Sequence, residues 1–152
     1  MKIFFLATIT VVSIAFTVTS CSSDDDNNHK TIIQVSELPL QANNFIETYF
    51  VTATVAKVEK DIRSLDEFYE VRLADGTQID FKETGIWTEV DGKNKSIPTQ
   101  FINENIVKYV ITNYTTTTIE GIDKKTYGFD VDLVNNTELR FDINGKFLGF
   151  DN

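Results

Sequence analysis

Residues 69–87, YEVRLADGTQIDFKETGIW, have a counterpart sixty positions later in residues 129–147, FDVDLVNNTELRFDINGKF. The matched residues agree in side-chain character, and the pairs are Tyr69 and Phe129, Val71 and Val131, Leu73 and Leu133, Ile79 and Leu139, Phe81 and Phe141, and Gly85 and Gly145. Apolar side chains that recur at every second position are typical of strands with one buried face. A spacing this regular predicts an internal repeat, and the repeat defines the architecture.

Each of the two stretches contains a hairpin and the start of a further strand. Asp75-Gly76 and Asn135-Asn136 are two-residue turns of a type that accepts positive φ, so each predicts a tight hairpin. We place four strands in each half, and they cover residues 54–61, 67–74, 77–82 and 86–91, then 115–122, 127–134, 137–142 and 146–150. Thr115–Thr118, which begins the second set, favours strand over helix.

A helix is predicted before each set of strands. From Pro39 to Ala53 the apolar residues recur at helical spacing, and Pro39 suits the first turn because its missing N–H has no partner there. Pro98 starts an equivalent pattern that continues to Asn113. The predicted fold class is therefore α+β, with two repeats of a helix followed by a four-stranded antiparallel meander. The eight strands can join into one continuous sheet with both helices on one face.

The N-terminal segment predicts export. A basic start and an apolar run too short for a stable membrane span are typical of a secretory signal peptide. The run ends at Val18-Thr19-Ser20-Cys21, which resembles the bacterial lipobox, where the cysteine receives diacylglycerol. We therefore expect a lipoprotein signal peptide over residues 1–20 and a membrane anchor through lipid on Cys21, which is the single cysteine of the chain. The alternative is an ordinary signal peptide beside an incidental cysteine.

The remaining chain is divided by composition into a linker and two repeats. Residues 21–35 are predicted to be an acidic flexible tether, residues 36–92 repeat 1 and residues 93–152 repeat 2. The acidic run after Cys21 also resembles the signal that sends Bacteroidetes lipoproteins to the outer face of the outer membrane. We expect an outer-membrane lipoprotein exposed at the cell surface, and the alternative is a domain that faces the periplasm.

The charge and the residue inventory argue against several classes of function. The chain carries 14 basic and 23 acidic side chains, and this net charge of −9 argues against nucleic acid as a partner. The one histidine, His29, lies in the tether, so Ser-His and Cys-His catalysis are not expected. Asp142-Ile143-Asn144-Gly145 is interpreted as a turn, because it lacks the ligand pattern of a calcium loop. We predict a non-enzyme with no catalytic residues, no metal and no cofactor.

The repeated pattern resembles the tandem PepSY-like domains, described as β-lactamase-inhibitor-like, of secreted Bacteroidetes lipoproteins. The resemblance lies in the helix starts Leu38-Pro39 and Ile97-Pro98 and in the paired strand motifs, and it covers the chain from about Ser36 to Asp151. One departure is Thr52-Ala53-Thr54, where the family pattern leads us to expect a proline. The resemblance implies a concave eight-stranded sheet. In the inhibitor for which the family is named, such a sheet binds an enzyme.

Strand alternation assigns one face of the sheet to the helices and leaves the other face open. The candidate binding face consists of the residues that alternation turns away from the helices, and they are Phe68, Glu70, Arg72, Gln78, Asp80, Lys82, Asp130, Asp132, Glu138 and Arg140. An exposed Phe68 would mark a contact, whereas Trp87 is assigned to the core in preference to the surface.

The predicted function is binding of a protein or peptide partner by a monomer through this open face. Inhibition of a secreted or periplasmic hydrolase is one form that such binding can take. The alternative is a structural or assembly component of the outer envelope, which would associate through its sheet edges.

Overall fold

The computed structural model describes residues 29–151, which form one open antiparallel sheet of nine strands with two α-helices. The elements are β1 (Lys30–Ile32), a 3₁₀ turn (Val35–Glu37), α1 (Leu40–Tyr49), β2 (Val55–Asp61), β3 (Tyr69–Leu73), β4 (Gln78–Phe81), β5 (Trp87–Asp91), α2 (Glu104–Asn113), β6 (Ile119–Lys125), β7 (Gly128–Leu133), β8 (Thr137–Asp142) and β9 (Phe147–Phe150). Each strand pairs with its neighbours in chain order. The predicted α+β class is confirmed, whereas the predicted signal peptide and Cys21 lie outside the described residues.

The sheet has one strand more than the eight that the sequence predicted. The additional strand, β1, lies within residues assigned to the flexible tether, and it pairs antiparallel with β2 from Lys30↔Asp61 to Ile32↔Glu59. The N–H of Ile33 then donates to the carbonyl of Val58 at 3.0 Å. A three-residue strand is too short to show a period of two, and its formation depends on the hydrogen-bonding groups that β2 offers at its outer edge.

The helix side of the sheet is built on one continuous row of aliphatic side chains. Cross-strand pairing places one residue from each of β2 to β8 side by side, each 1 % exposed or less, and we call Val58, Val71, Ile79, Val90, Ile122, Val131 and Leu139 the aliphatic row. Val90↔Ile122 lies within the β5–β6 pairing, which joins the two halves of the chain. The two halves therefore share one sheet and one hydrophobic core.

Both helices pack on this side through aromatic contacts. Phe45 of α1 meets Phe81 edge-on with ring centroids 5.8 Å apart, and Tyr109 of α2 meets Phe141 edge-on at 5.4 Å. Trp87 is half-buried against the same core and stacks on Phe45 at 6.0 Å, as its assignment to the core predicted. Within residues 29–151, neither helix is both long enough and apolar enough to cross a bilayer.

Helix α2 begins later than the sequence predicted. Pro98 lies six residues before Glu104, the first helical residue, rather than in the first turn. The cap is Asn103, whose side-chain oxygen accepts a hydrogen bond from the N–H of Asn105 at 2.9 Å. Helix α1, in contrast, begins at Leu40 directly after a proline, although it ends at Tyr49 rather than at residue 53.

The first strand of the second half is also displaced along the chain. Thr115–Thr118 were predicted to begin this strand, but they form a turn in which the N–H of Thr117 donates to the carbonyl of Tyr114 at 3.3 Å. Strand β6 runs from Ile119 to Lys125 instead. The β-propensity of threonine is overridden here because the chain has to reverse direction after α2 before it can pair with the sheet.

The tight turns have the backbone conformations that were predicted from their residues. Gly76 and Asn136, in the two hairpins, have φ angles of 97° and 61°. Gly85 and Gly145, in the following turns, have φ angles of 82° and 80°. At Gly85 a Cβ atom would lie 2.8 Å from the side chain of Pro39, so the close approach of α1 also requires glycine there.

Candidate functional site

The sheet face opposite the helices carries a row of acidic side chains. Cross-strand pairing places one residue from each of β2 to β7 side by side, and all six are acidic; we call Glu59, Glu70, Asp80, Glu89, Asp123 and Asp130 the acidic row. Arg140 of β8 continues the line beyond Asp130. Like charges directly opposite each other destabilise a sheet, so this arrangement opposes folding unless cations neutralise it.

A second line of residues runs beside the acidic row. In strand order from β2 to β8 its members are Lys57, Arg72, Gln78, Asp91, Gly121, Asp132 and Glu138. The line is basic or neutral over β2 to β4 and acidic over most of β5 to β8. Negative charge on the open face is therefore concentrated on its second half.

Eight of the ten predicted binding residues lie on these two lines, and two do not. Lys82 lies just after β4, where its ammonium pairs with Asp66 at 2.9 Å. Phe68 is buried, so the exposure that would have marked it as a contact is absent. Alternation failed at this position because β3 begins only at Tyr69, against which the ring of Phe68 packs edge-on at 4.9 Å.

Three members of the acidic row were missed by the sequence reasoning, namely Glu59, Glu89 and Asp123. Glu59 and Asp123 belong to the strands that precede the repeated unit, and Glu89 follows its first copy. Lys57 and Glu59 flank the apolar Val58, and this alternation predicts that the two charged side chains face away from the helices. The alignment of the six carboxylates could not be predicted from the sequence, because it depends on the register between strands.

On β3, the second strand of the acidic row, the negative charge is neutralised. The carboxylate of Glu70 pairs with Lys30 of β1 at 2.6 Å and with Arg72 at 2.8 Å. Burial opposes ionisation of Glu70, but the two cations outweigh it and lower the pKa of this carboxyl. Strand β1 therefore contributes a counter-charge to the open face as well as a ninth strand.

Asp80, next in the row, has no comparable neutralisation. Its side chain is 2 % exposed and accepts a hydrogen bond from the neutral amide of Gln78 at 3.2 Å. Among residues 29–151 no Lys, Arg or His nitrogen lies within 4.0 Å of its carboxylate. Burial raises the pKa of Asp80 from 3.8 to about 7, and the nearby carboxylates of Glu89 and Glu67 add to the rise.

Asp80 belongs to a compact group of three carboxylates. One carboxylate oxygen from each of Glu67, Asp80 and Glu89 lies within 4.8 Å of the other two. Burial raises the pKa of Glu89 as well, with further contributions from neighbouring carboxylates. The loop that carries Glu67 is hydrogen-bonded to the sheet, because the hydroxyl of Thr88 donates a hydrogen bond to the carbonyl of Asp66 at 2.7 Å. Three oxygen ligands at this spacing suit a hard cation such as Ca²⁺.

The group borders an open pocket of about 330 Å³ on the side of β5 and β6. Its lining includes Glu67, Glu89 and Asp123, together with Lys125, which pairs with Asp123. The cluster is therefore accessible to solvent along one side. A cation or a basic side chain of a partner can approach it there.

The raised pKa of Asp80 predicts how stability depends on pH. Because the folded state holds this proton more tightly than the unfolded chain, the contribution of Asp80 to stability is complete below pH 4 and is lost as the pH rises to about 7. Asp80→Asn removes the ionisation, so we expect the variant to be more stable than the parent by about 1–3 kcal/mol at pH 8 and nearly equal at pH 4.

Urea unfolding at the two pH values measures this difference. Glu83→Gln, which removes an exposed carboxylate from the nearby turn, is the control and should change stability by less than about 0.5 kcal/mol. Equal stability of Asp80→Asn and the parent at pH 8 would show that the carboxylate of Asp80 is not held under electrostatic strain.

Comparison with known proteins identifies relatives of the chain. The model of the family described as "Putative beta-lactamase-inhibitor-like, PepSY-like" matches residues 67–149, which is more than half of the sequence. Among curated proteins no sequence matches the chain.

Three solved structures from Bacteroides are similar over most of the chain. A protein of Bacteroides thetaiotaomicron described as a "putative calcium-regulated periplasmic protein" is 35% identical, has a TM-score of 0.76, and is matched over 81% of this chain and 97% of its own. A periplasmic protein of unknown function from Bacteroides vulgatus is 33% identical, with a TM-score of 0.72 and coverage of 81% and 99%. A periplasmic protein of the DUF2874 family from the same species is 32% identical, with a TM-score of 0.73 and coverage of 83% and 99%.

These similarities agree with the fold that the structure shows, and the relatives are all described as periplasmic proteins. The chain therefore belongs to the PepSY-like, β-lactamase-inhibitor-like family.

Proposed function

We propose that this protein is a non-enzymatic lipoprotein of the cell envelope that binds a protein or peptide through its open sheet face, and that the partner presents basic side chains. The acidic row supports this proposal most directly, because it places six carboxylates side by side on the sheet face opposite the two helices. The proposed anchor is lipid on Cys21, and the proposed location is the outer membrane. The periplasmic relatives support an envelope role.

Local charge favours the middle of the face, around β4 and β5, as the centre of binding. Glu70 is already neutralised by Lys30 and Arg72, whereas Asp80 and Glu89 are partly desolvated and form no salt bridge within residues 29–151. A Lys or Arg from a partner would relieve this unfavourable burial, which gives the partner more binding energy than a solvated carboxylate offers. The negative field of the face would also accelerate the association of a basic partner.

Two narrower statements belong to the same proposal. We propose that the two α-β4 units are repeats, because Tyr69↔Phe81 and Phe129↔Phe141 pair in the same register sixty residues apart. Inhibition of a hydrolase is the form of binding that the family description suggests. The alternative remains a structural component of the envelope that assembles through β1 or β9, the two edge strands.

Neutralising the open face tests the proposal. We expect the Asp123→Asn, Asp132→Asn, Glu138→Gln variant to capture about tenfold less of a specific partner than the parent, since it loses three carboxylates that contact the partner. The measurement is quantitative capture from envelope and secreted fractions by the mature protein, with mass spectrometry to identify what is bound. Capture should also weaken as salt is raised.

The matched control variant is Glu47→Gln, Glu83→Gln, Glu104→Gln, which removes three exposed carboxylates away from the open face. It has the same net charge as the face variant, so it should bind as the parent does. Equal loss of capture by both variants would reduce the effect to net charge and overturn the proposed site.

A second candidate function is binding of a divalent cation at Glu67, Asp80 and Glu89. The three carboxylate oxygens within 4.8 Å favour it, and the relative from Bacteroides thetaiotaomicron is described as calcium-regulated. A bound cation would supply the missing counter-charge and displace the proton of Asp80. A cation and a basic partner would compete for Asp80 and Glu89, whereas Asp123, Asp132 and Glu138 would remain available to the partner when the cation is bound.

We expect Ca²⁺ to raise the melting temperature at pH 8 relative to the same protein in EDTA, and to do so less at pH 6, where Asp80 holds its proton. At a concentration one hundred times the dissociation constant, the gain corresponds to about 2.7 kcal/mol. Glu67→Gln with Glu89→Gln should abolish the gain, whereas Glu83→Gln should retain it. A gain that survives in the double variant would place the cation elsewhere.

A further inference from the structure

The N-terminal segment enters the sheet at a defined end. Lys30, the first residue of β1, pairs with Asp61, the last residue of β2. The loops 62–68 and 82–86 lie at the same end, because β2 and β4 both run towards it and β3 and β5 run away from it. We call the surface formed by these two loops the entry end.

The entry end exposes large apolar side chains at the tips of both loops. Ile62 is 72% exposed, Leu65 is 86% exposed and Ile86 is 41% exposed. The hairpin turn 74–77 at the opposite end consists of Ala, Asp, Gly and Thr. Other large apolar side chains, such as Val51 and Leu40, are exposed elsewhere on the domain. What distinguishes the entry end is that Ile62 and Leu65 are exposed together around one pocket, and clustered apolar side chains of this kind mark contact surfaces.

The two loops enclose an open pocket of about 500 Å³ whose lining is amphipathic. Ile62, Leu65 and Phe68 provide apolar walls. The charged groups of the lining are Lys60, Lys82 and the carboxylate of Glu83. The ammonium of Lys60 lies 5.2 Å from the ring centre of Phe68, and among the described residues it forms no salt bridge. This combination suits a ligand with an anionic head and an acyl tail.

The carboxylates of the loops are mostly engaged elsewhere. Asp61 accepts a hydrogen bond from the N–H of Arg63 at 2.9 Å, and Asp66 pairs with Lys82. Glu67 turns towards the acidic row, where its carboxylate lies close to Asp80. Glu83 is the exposed carboxylate of loop 82–86, and Lys60 is the lining cation without a salt bridge among the described residues. The surface that remains at the loop tips is therefore mainly apolar, with Lys60 on one side and Glu83 on the other.

The length of chain before the sheet limits how far this end can lie from a membrane. Cys21 precedes Lys30 by nine residues, and nine residues span at most about 30 Å when fully extended. A lipid on Cys21 would therefore keep the entry end within about 30 Å of the bilayer. The occupant that chain length and chemistry favour together is the surface of a phospholipid bilayer.

We propose that the entry end rests on a phospholipid bilayer, with Ile62 and Leu65 inserted at the level of the headgroups and Lys60 beside a lipid phosphate. The proposal rests on lipidation of Cys21, which is part of the proposed function. In this orientation the strands stand away from the membrane, and the open face remains accessible from the side. The lipid anchor and the loop contact together hold the domain in one orientation, which a single acyl anchor does not.

The test uses the full lipidated chain reconstituted in vesicles of phosphatidylethanolamine and phosphatidylglycerol. Lipidation consumes the thiol of Cys21, so an introduced cysteine becomes the single site for an environment-sensitive dye. The reporter is Thr84→Cys in loop 82–86, and the control is Asn135→Cys in the hairpin turn at the opposite end. We expect lipid-borne quenchers to reduce the emission of the Thr84 reporter at least about threefold more than that of the control. Ile62→Ser with Leu65→Ser should remove most of this difference.

Each outcome of the test is decisive. Mass spectrometry of the N-terminal peptide reports on Cys21 in the same sample, so an unlipidated chain overturns the proposed anchor and this proposal with it. A lipidated chain in which both reporters are quenched equally overturns the bilayer contact alone, and leaves partner binding by the open face untouched. A change in the Thr84 reporter that needs no lipid and grows with protein concentration would assign the loops to a contact between two copies of the chain.

Discussion

The aliphatic row is the constraint on which the rest of the structure depends. Seven side chains from Val58 to Leu139 meet across consecutive strands, and burying each contributes about 1.5–3 kcal/mol. Because side chains alternate with a period of two, a slip of one residue in any strand would expose its member of the row and, in most cases, bury a charged side chain. The packing of the helix side therefore fixes the register, and the register places six carboxylates in line on the other face.

The alignment of the six carboxylates destabilises the folded state through electrostatic repulsion, and neighbouring cations only partly offset this repulsion. Lys30 and Arg72 neutralise Glu70, and Lys125 and Arg140 lie near Asp130, but Asp80 between them is buried beside other carboxylates with a neutral amide as its partner. An apolar residue or an asparagine would be more stable at position 80. Destabilising charge of this kind is characteristic of sites where a bound cation or a basic partner supplies the missing neutralisation, and we interpret the centre of the face in that way.

The sequence predicted those features that depend on local chemistry. The hairpins at Gly76 and Asn136 follow from residues that tolerate positive φ, and the buried side of the repeated strands follows from alternation. The failures arose where tertiary contacts override local preference. The four threonines after α2 form a turn, Pro98 precedes rather than opens a helix, and β1 is too short to have a period.

Only part of the acidic row could be predicted from the sequence, for a related reason. Alternation placed Glu70, Asp80 and Asp130 on the open face, but their alignment with Glu89 and Asp123 depends on the pairing of β5 with β6. A connection of 27 residues, 92–118, separates these strands, and it contains α2. No local pattern specifies which residues meet across such a connection.

The ionisation of Asp80 tests the central claim most directly, because it reports whether the core really forces an uncompensated carboxylate into the open face. Carbon-13 NMR of the side-chain carboxyl groups, followed from pH 3 to pH 9 in the absence of divalent cations, measures it residue by residue. The account predicts that Asp80 titrates near pH 7, well above the usual range of an aspartate carboxyl. Titration of Asp80 near pH 4 would contradict the account, since the carboxylate would then be solvated or paired.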